Sequence, residues 1–158
     1  MYKKILLVYY SRTWITRKVA QYIEKVTKCD IEEIIDTKSR SWIFWYILAG
    51  RDASLKKLTK INNIQHNPSD YQILIIGTPV RDFTMATAIR TYISQNKNNL
   101  PSKIIFYCTM WSGGDRSTFQ DMTHLCAQTP IWTIQFKTKE IIKNQFSQKL
   151  NKFLTNTI

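Results

Sequence analysis

The sequence is short of the residues that mark several classes of protein. It has four glycines and four prolines in 158 residues, which argues against a disordered or a fibrous chain. No uninterrupted apolar run reaches the roughly 18 to 20 residues that a membrane-spanning helix needs. No small-residue cleavage site follows Lys3 and Lys4, so the start of the chain does not resemble an export signal. We therefore expect a globular, cytoplasmic protein that does not associate with a membrane.

Cysteine and histidine are also scarce. Cys29, Cys108 and Cys126 share no metal-type spacing, and their odd number argues against a disulfide framework. His66 and His124 are far apart, and neither has a carboxylate or a cysteine at ligand spacing. We expect no metal site, and we interpret both histidines as surface or packing residues.

Acidic residues are outnumbered by basic ones. The chain has 11 Asp and Glu against 23 Lys and Arg, which gives a formal net charge of +12. Such a charge attracts an acidic partner over a long range, and that partner could be an acidic protein or a nucleic acid. The basic residues are spread along the chain without an aromatic-interleaved motif, so nucleic-acid binding has no sequence motif to support it, and a solvated surface is an equal alternative.

What the sequence does contain is an alternation of short apolar runs and amphipathic stretches. Five strands are predicted, at residues 3–10, 31–35, 71–76, 103–108 and 131–136. Helical spacing follows in four places, with the apolar sets Val19, Ala20, Ile23 and Val26; Ala88, Ile89, Tyr92 and Ile93; Phe119, Met122 and Cys126; and Ile142, Phe146, Leu150 and Leu154. The alternation predicts a three-layer, doubly wound α/β fold with a five-stranded parallel sheet, formed by residues 1–158 as one domain.

Residues 40–60 are richer in aromatic side chains than their neighbours. A helix there would turn Ile43, Tyr46, Ile47 and Leu55 towards the sheet. The other aromatics of the segment are Trp42, Phe44 and Trp45. We interpret most of these side chains as packing residues.

Three loops follow predicted strands. In open parallel sheets, ligands bind beyond the carboxyl ends of the strands, so loops 11–16, 78–84 and 109–114 are the candidate site. The first loop leads into a helix, where free backbone N–H groups and the hydroxyls of Ser11, Thr13 and Thr16 favour an anion such as phosphate. The alternative is that Thr13 or Thr16 merely caps the helix.

Several segments resemble the flavodoxin family. Residues 6–13, followed by residues 16–20, are similar to the opening of a flavodoxin, and Ile76–Val80 is similar to its second flavin loop. Further similar segments are Arg51–Ala53, Leu55–Thr59, Cys108–Thr109, Thr118–Phe119 and Met122. The resemblance covers nearly the whole chain, and it implies the strand order 2-1-3-4-5, a non-covalently bound FMN and one- or two-electron transfer.

The resemblance also implies a set of cofactor-binding residues. It assigns the first loop to the FMN phosphate, largely through backbone N–H groups, and the other two loops to the two sides of the isoalloxazine ring. The candidate residues are Ser11, Arg12, Thr13, Trp14, Ile15, Thr16, Thr78, Pro79, Val80, Arg81, Asp82, Phe83, Cys108, Thr109, Met110, Trp111, Ser112, Gly113 and Gly114. No catalytic side chain is expected, because the cofactor carries the redox step.

Two departures from the family pattern lie in these loops. Trp14 stands where the phosphate loop of the family, Ser/Thr-x-Thr-Gly-x-Thr, has glycine, and Ile15 follows it. Related sequences often carry tryptophan directly after Thr-Pro-Val, where this chain has Arg81. The aromatic platform for the flavin is therefore predicted at Phe83 or at Trp111.

The same substitution suggests two further properties of the second loop. Asp82 is the best candidate for a left-handed conformation in the turn near the flavin, because Asp tolerates it better than most residues. A positive charge at Arg81 beside the ring would raise the redox potential of the cofactor.

The leading functional prediction is an FMN-binding electron-transfer protein whose basic surface docks an acidic redox partner. The alternative is a flavodoxin-fold protein that has lost FMN, with Trp14 and Trp111 filling the pocket and the surface binding protein or nucleic acid. A third possibility is an NAD(P)H-dependent flavin or quinone reductase, for which the sequence holds no second dinucleotide fingerprint.

Overall fold

The structure of the protein is a computed structural model that describes residues 4–37 and 57–157. The strands are β1 (Ile5–Tyr9), β2 (Asp30–Glu33), β3 (Ile73–Arg81), β4 (Thr84–Met85), β5 (Lys103–Met110) and β6 (Trp132–Lys137). The helices are α1 (Trp14–Thr27), α2 (Thr87–Asn96), α3 (Asp115–Cys126), α4 (Thr138–Ile142) and α5 (Phe146–Thr157), with single 3-10 turns at Pro68–Asp70 and Lys97–Asn99.

The predictions for residues 40–60 fall almost entirely outside the described residues. This holds for the inward-facing set Ile43, Tyr46, Ile47 and Leu55, for the aromatics Trp42, Phe44 and Trp45, and for the segment Arg51–Ala53. Residues 57–60, at the end of the predicted helix, are not helical.

The sheet has the predicted topology. Its strands lie in the order β2-β1-β3-β5-β6 and pair in parallel, which is the order 2-1-3-4-5 when the five long strands are counted along the chain. The sequence did not reveal β4, a two-residue strand that pairs antiparallel with the end of β3 through Val80↔Met85 and Arg81↔Thr84. Because of this pairing, residues 78–81 belong to a strand, and the prediction that they form a loop was wrong.

Two apolar layers enclose the sheet. All five residues of β1 are buried, as expected for a central strand that is covered on both faces. One face packs against α1 and α5 through Leu7, Ile23 and Leu150, and the other packs against α2 and α3 through Leu6, Tyr92 and Met122. The arrangement is the predicted three-layer α/β fold.

The neighbouring strands β3 and β5 make a close contact through Gly77 and Tyr107. A Cβ added at Gly77 would lie 2.0 Å from the Tyr107 ring, so only glycine leaves room for that ring. The Tyr107 hydroxyl reaches across to donate a hydrogen bond to the Thr16 carbonyl at 3.4 Å. Gly77 in this way lets β5 hold the start of α1 against the sheet.

The C-terminal region departs from the single helix that its periodicity predicted. The chain turns at Asn144, which has a φ of 57°. The Gln145 N–H donates to the Glu140 carbonyl and the Asn144 N–H to the Ile141 carbonyl, which is the pattern of a Schellman helix end. Ile141 is therefore buried, whereas Ile142, predicted on the apolar side, is 53% exposed.

Helix α1 also differs slightly from its prediction. It begins at Trp14, within the predicted loop 11–16, and buries Val19, Ala20 and Ile23 as expected. Val26, predicted on the same face, is exposed in the last turn. Within residues 4–37 and 57–157, none of the helices combines the length and the apolar character that a bilayer crossing requires.

Candidate functional site

The carboxyl ends of the central strands open into one cleft of about 430 Å³. Eleven of the residues predicted from the sequence line it: Arg12, Thr13, Trp14, Ile15, Thr16, Pro79, Val80, Arg81, Thr109, Met110 and Trp111. Eight other predicted residues do not line it: Ser11, Thr78, Asp82, Phe83, Cys108, Ser112, Gly113 and Gly114. Thr138 and Ile142 complete the wall and were not predicted, although β6 ends at the same edge of the sheet as the other parallel strands.

The start of α1 forms one side of the cleft. Thr13 precedes the helix in an extended conformation and makes no capping hydrogen bond with its side chain. The Ser11 hydroxyl accepts a hydrogen bond from the Arg17 N–H at 3.1 Å and donates to the Thr13 carbonyl. The alternative, that Thr13 or Thr16 merely caps the helix, is therefore not what the structure shows: Thr13 makes no cap, and the Thr16 hydroxyl faces Thr109. The N–H that Ser11 engages belongs to Arg17, the fourth residue of the helix. Intrahelical hydrogen bonds cannot reach the first N–H groups of the helix, which belong to residues 14–16.

The charges around this helix start have one sign. The first turn of α1 contains no acidic residue, so nothing there offsets the positive end of the helix dipole. Arg12 and Arg81 are the charged residues of the lining, and both are basic. The cleft therefore favours an anion.

Thr16 connects two of the loops. Its side chain is buried, and its Oγ1 lies 2.8 Å from Thr109 Oγ1 at the end of β5. This hydroxyl pair holds the start of α1 against the third loop. The Thr16 hydroxyl is consequently engaged within the protein.

Trp14 occupies the first position of α1 with a right-handed backbone. It is absent from the residues with positive φ, so this position does not need the conformational freedom of glycine. The side chain is 50% exposed, and Lys18 Nζ lies 5.2 Å from the centroid of the indole ring. The indole therefore lies along the rim of the cleft beside the Lys18 side chain.

An ion pair supports the same helix from β2. Arg17 contacts Glu33 through Nη2–Oε1 at 2.6 Å and Nε–Oε2 at 3.2 Å, and the Tyr9 hydroxyl donates to Glu33 Oε2 at 3.0 Å. Burial, together with the Glu33 carboxylate, raises the pKa of Tyr9 to about 12. The charge of Arg17 is thus balanced by Glu33.

The second loop is a tight hairpin between β3 and β4. Asp82 has a φ of 43° and Phe83 a φ of 61°, so both residues of this two-residue turn are left-handed, as a type I′ turn requires. The left-handed conformation predicted for Asp82 is confirmed, and that of Phe83 was missed. The buried Thr78 hydroxyl accepts from the Ala86 N–H at 2.9 Å and donates to the Pro79 carbonyl, so it stabilises the hairpin from below.

The start of α3 holds the tip of this hairpin. Gly114 has a φ of 93°, and a Cβ there would lie 2.8 Å from Val80 Cγ1 and 3.2 Å from Phe83 Cα. Ser117 Oγ donates to the Phe83 carbonyl at 2.6 Å. Gly114 therefore shapes the site from outside the cleft, because it allows the hairpin to approach α3.

A buried ion pair anchors the base of the hairpin. Arg90 of α2 is 4% exposed, donates to Thr84 Oγ1 at 2.7 Å and pairs with Asp121 of α3. Sequence reasoning missed this cluster. The available signal was a charged residue directly after Ala88 and Ile89 on the apolar face of a predicted helix.

The third loop presents an aromatic side chain. Trp111 is 83% exposed and lines the cleft, whereas Phe83 is 71% exposed and does not. Of the two predicted platforms, the geometry therefore favours Trp111. Cys108 is fully buried, and burial raises the pKa of its thiol to about 12, so it does not face the cleft.

Both histidines lie outside the cleft. His66 Nδ1 is 2.7 Å from the Tyr71 hydroxyl, and the two rings pack edge to face. His124 is exposed on α3. Among the residues that the structure describes, no group of three or more His, Cys, Asp or Glu side chains could hold a metal ion.

A larger groove of about 820 Å³ lies between α3 and the edge strand β6. It is broad and open, and its walls include Phe119, Thr123, Thr133 and Gln135. The helix start that lines it, at the beginning of α3, carries the acidic Asp115. The smaller cleft is the better candidate because it gathers helix N–H groups, two arginines and an aromatic side chain in one place.

Comparisons with known proteins place this geometry in a family. A family model described as flavodoxin matches residues 4–157. A flavoprotein from Lactobacillus acidophilus NCFM, solved in complex with FMN, is similar with a TM-score of 0.67 and 19% identity, over 89% of this chain and 97% of that one. No curated protein matches the sequence.

Two further solved structures share the fold. A candidate flavoprotein from Bacteroides uniformis ATCC 8492 has a TM-score of 0.71 and 15% identity, over 96% of this chain and 99% of that one. The two-electron reduced flavodoxin of Megasphaera elsdenii has a TM-score of 0.52 and 15% identity, over 83% and 85% of the two chains. At these identities the likeness shows the fold alone.

Proposed function

The chain belongs to the flavodoxin family, and on that premise we propose that it binds FMN in the cleft at the start of α1 and works as an electron-transfer protein. The observation that carries the proposal is the start of α1 beside Arg12, where the first turn holds no acidic residue and Thr13 makes no side-chain cap. Free N–H groups at a helix start are a well-suited site for a phosphate.

The residues of the cleft fit the two ends of the cofactor. The N–H groups of residues 14–16, with Arg12 and the Thr13 hydroxyl, would hold the phosphate. Trp111 would offer a flat apolar face to the ring, and the strand ends at Pro79 and Thr109 would border it. The cleft volume of about 430 Å³ lies in the range of about 300–1,000 Å³ that is usual for small-molecule sites.

The flavin, when bound, supplies the redox chemistry. The side chains of the protein orient it and set the electrostatic environment. Two basic side chains, Arg12 and Arg81, line the cleft. Their charge would favour the addition of electrons and so raise the potential of the cofactor.

The exposed aromatics support this function over a chain that has lost its cofactor. In the alternative, Trp14 and Trp111 would fill the pocket. Trp14 is 50% exposed and Trp111 is 83% exposed, and the cleft between the loops is open. The net charge of +12 supports an acidic protein as the redox partner.

Titration of the FMN-free protein with FMN tests the proposal. We expect flavin fluorescence to be quenched, and riboflavin, which lacks the phosphate, to bind at least about tenfold more weakly. FMN fluorescence that stays unquenched at high protein concentration would contradict FMN binding. Equal affinity for FMN and riboflavin would contradict the phosphate site at α1.

Electron transfer needs a separate measurement. Plant-type ferredoxin, an acidic protein of low potential, is reduced photochemically and mixed with the oxidised FMN-loaded protein in a stopped-flow instrument. We expect reduction of the flavin at a rate that falls as salt is added, because the attraction is electrostatic. Turnover of NADPH in the presence of FMN and a quinone would instead indicate a reductase.

A further inference from the structure

A surface depression lies beside the candidate cleft. It has a volume of about 300 Å³ and is lined by Trp111, Lys139, Ile142 and Lys143, which we call the Trp111–Ile142 patch. Trp111 is 83% exposed and Ile142 is 53% exposed. Large apolar side chains that stand next to each other on a surface mark sites of association, and tryptophan is enriched among the residues that dominate binding energy.

Local structure holds the patch in place. The Thr138 hydroxyl donates to the Met110 carbonyl at 3.1 Å, which joins the start of α4 to the residue before Trp111. The helix end at Asn144, with its left-handed turn, directs Ile142 outwards while Ile141 is buried. The exposure of Ile142 therefore follows from the break between α4 and α5.

The charge of the patch is positive. Lys139 and Lys143 flank the two apolar side chains and are exposed. The acidic residue of the same helix, Glu140, accepts a hydrogen bond from the Lys137 N–H at 2.9 Å and so is turned back to the start of the helix. Carboxylates of a partner would complement this surface.

The patch adjoins the candidate cofactor cleft. Trp111 and Ile142 line both the depression and the cleft. A partner seated on the patch would therefore touch the wall of the cofactor site.

The shape favours a protein over a small anionic ligand. Small-molecule sites enclose about 70–90% of the ligand surface. The depression is bounded by four residues, and its tryptophan is 83% exposed. We propose that the Trp111–Ile142 patch is the docking surface for an acidic redox protein, an inference that rests on the proposed electron-transfer function.

Charge reversal tests the patch. The double variant Lys139→Glu/Lys143→Glu is compared with Lys97→Glu/Lys103→Glu, which changes the net charge equally at the amino edge of the sheet. Plant-type ferredoxin is the acidic probe and cytochrome c the basic one. We expect the first variant to bind ferredoxin on the order of tenfold more weakly than the parent protein does. The parent protein should bind the basic cytochrome c weakly at most. The affinity of the control variant for ferredoxin should fall by no more than about twofold.

Binding is measured on the FMN-free protein by NMR, through the indole N–H signals of the five tryptophans, with Trp111 assigned from a Trp111→Phe variant. We expect ferredoxin to shift the Trp111 signal. Absence of FMN binding in the titration would contradict the proposed function. An unmoved Trp111 signal, or an equal loss of ferredoxin affinity in the two charge variants, would contradict the docking surface. A Trp111 shift that NADPH produces and ferredoxin does not would overturn it in favour of a small anionic ligand.

Discussion

Thr16 Oγ1 and Thr109 Oγ1 lie 2.8 Å apart and are buried between the start of α1 and the end of β5. The two residues are 93 positions apart in the sequence, and their contact joins the first and third loops of the candidate site. The two hydroxyls form a hydrogen bond with each other at a buried position. The shape of the cleft therefore depends on this pair, whose hydroxyls are engaged with each other.

The hydroxyl pair is expected to behave as a unit. Thr16→Val or Thr109→Val should each lower the free energy of unfolding by about 1–3 kcal/mol, because each leaves one buried hydroxyl without its partner. The double variant should lose less than the sum of the two single losses. Urea denaturation of the four proteins measures this, and strictly additive losses would contradict a direct bond.

The buried ion pair of Arg90 and Asp121 should contribute more to stability than the partly exposed pair of Arg17 and Glu33. Asp121→Asn is expected to lower the free energy of unfolding by about 3–5 kcal/mol, because it leaves the Arg90 charge buried and unbalanced. Glu33→Gln, the matched control, should cost at most about 1 kcal/mol, since its partner is 43% exposed. Similar losses in the two variants would contradict this ranking.

The two consecutive glycines of the third loop provide a matched test of the hairpin contact. Gly114→Ala should destabilise the protein by about 1–3 kcal/mol, because its φ is 93° and a Cβ would meet Val80 Cγ1 at 2.8 Å. Gly113→Ala has nothing within 4 Å of the new Cβ and should stay within about 0.5 kcal/mol. Thermal unfolding of both variants checks the difference, and a neutral Gly114→Ala would show that the hairpin does not press on this residue.

The position of the Trp14 ring leads to a prediction for FMN affinity. With FMN bound as proposed, Trp14→Ala should change the Kd by no more than about threefold, because the indole lies along the rim beside Lys18. Arg12→Gln should weaken binding on the order of tenfold through the loss of a charge at the phosphate. Fluorescence titration measures both. If Trp14→Ala tightened binding by more than tenfold, the indole would be occupying the place of the anion.

The buried thiol of Cys108 should make the stability of the protein depend on pH only in the alkaline range. Burial raises its pKa from 9.0 to about 12 in the folded protein. A group whose pKa is raised on folding stabilises fully below its unfolded value, so this contribution is present up to about pH 9 and is lost between about pH 9 and 12. Cys108→Ala should therefore show a shallower loss of stability over that range in urea titrations at several pH values.

Reaction with iodoacetamide at pH 8 provides an independent check. All three cysteines are buried, so the folded protein should resist labelling, and all three should react in urea. Rapid labelling of Cys108 in the folded protein would contradict its position under the site.

The sequence by itself determined the architecture. The apolar run at residues 6–8 predicts a strand that is covered on both faces, and the spacing of Val19, Ala20 and Ile23 predicts a helix face. Both predictions were possible because apolar runs and periodicity are local properties of the chain. The resemblance to flavodoxins added the strand order. The position of the candidate site followed from this fold, because the carboxyl ends of parallel strands meet at one edge of the sheet.

Only the tertiary structure decided which side chains meet there. The single helix predicted for the C-terminal segment is divided into α4 and α5 by the left-handed turn at Asn144, and Ile142 is exposed before that break. The Thr16–Thr109 and Arg90–Asp121 contacts join residues that are distant in the chain, and no local pattern encodes them. Periodicity reports which face of an element is buried, whereas hydroxyl pairs, ion pairs and the direction of an indole depend on how separate elements pack, and this is why the shape of the cleft emerged only in three dimensions.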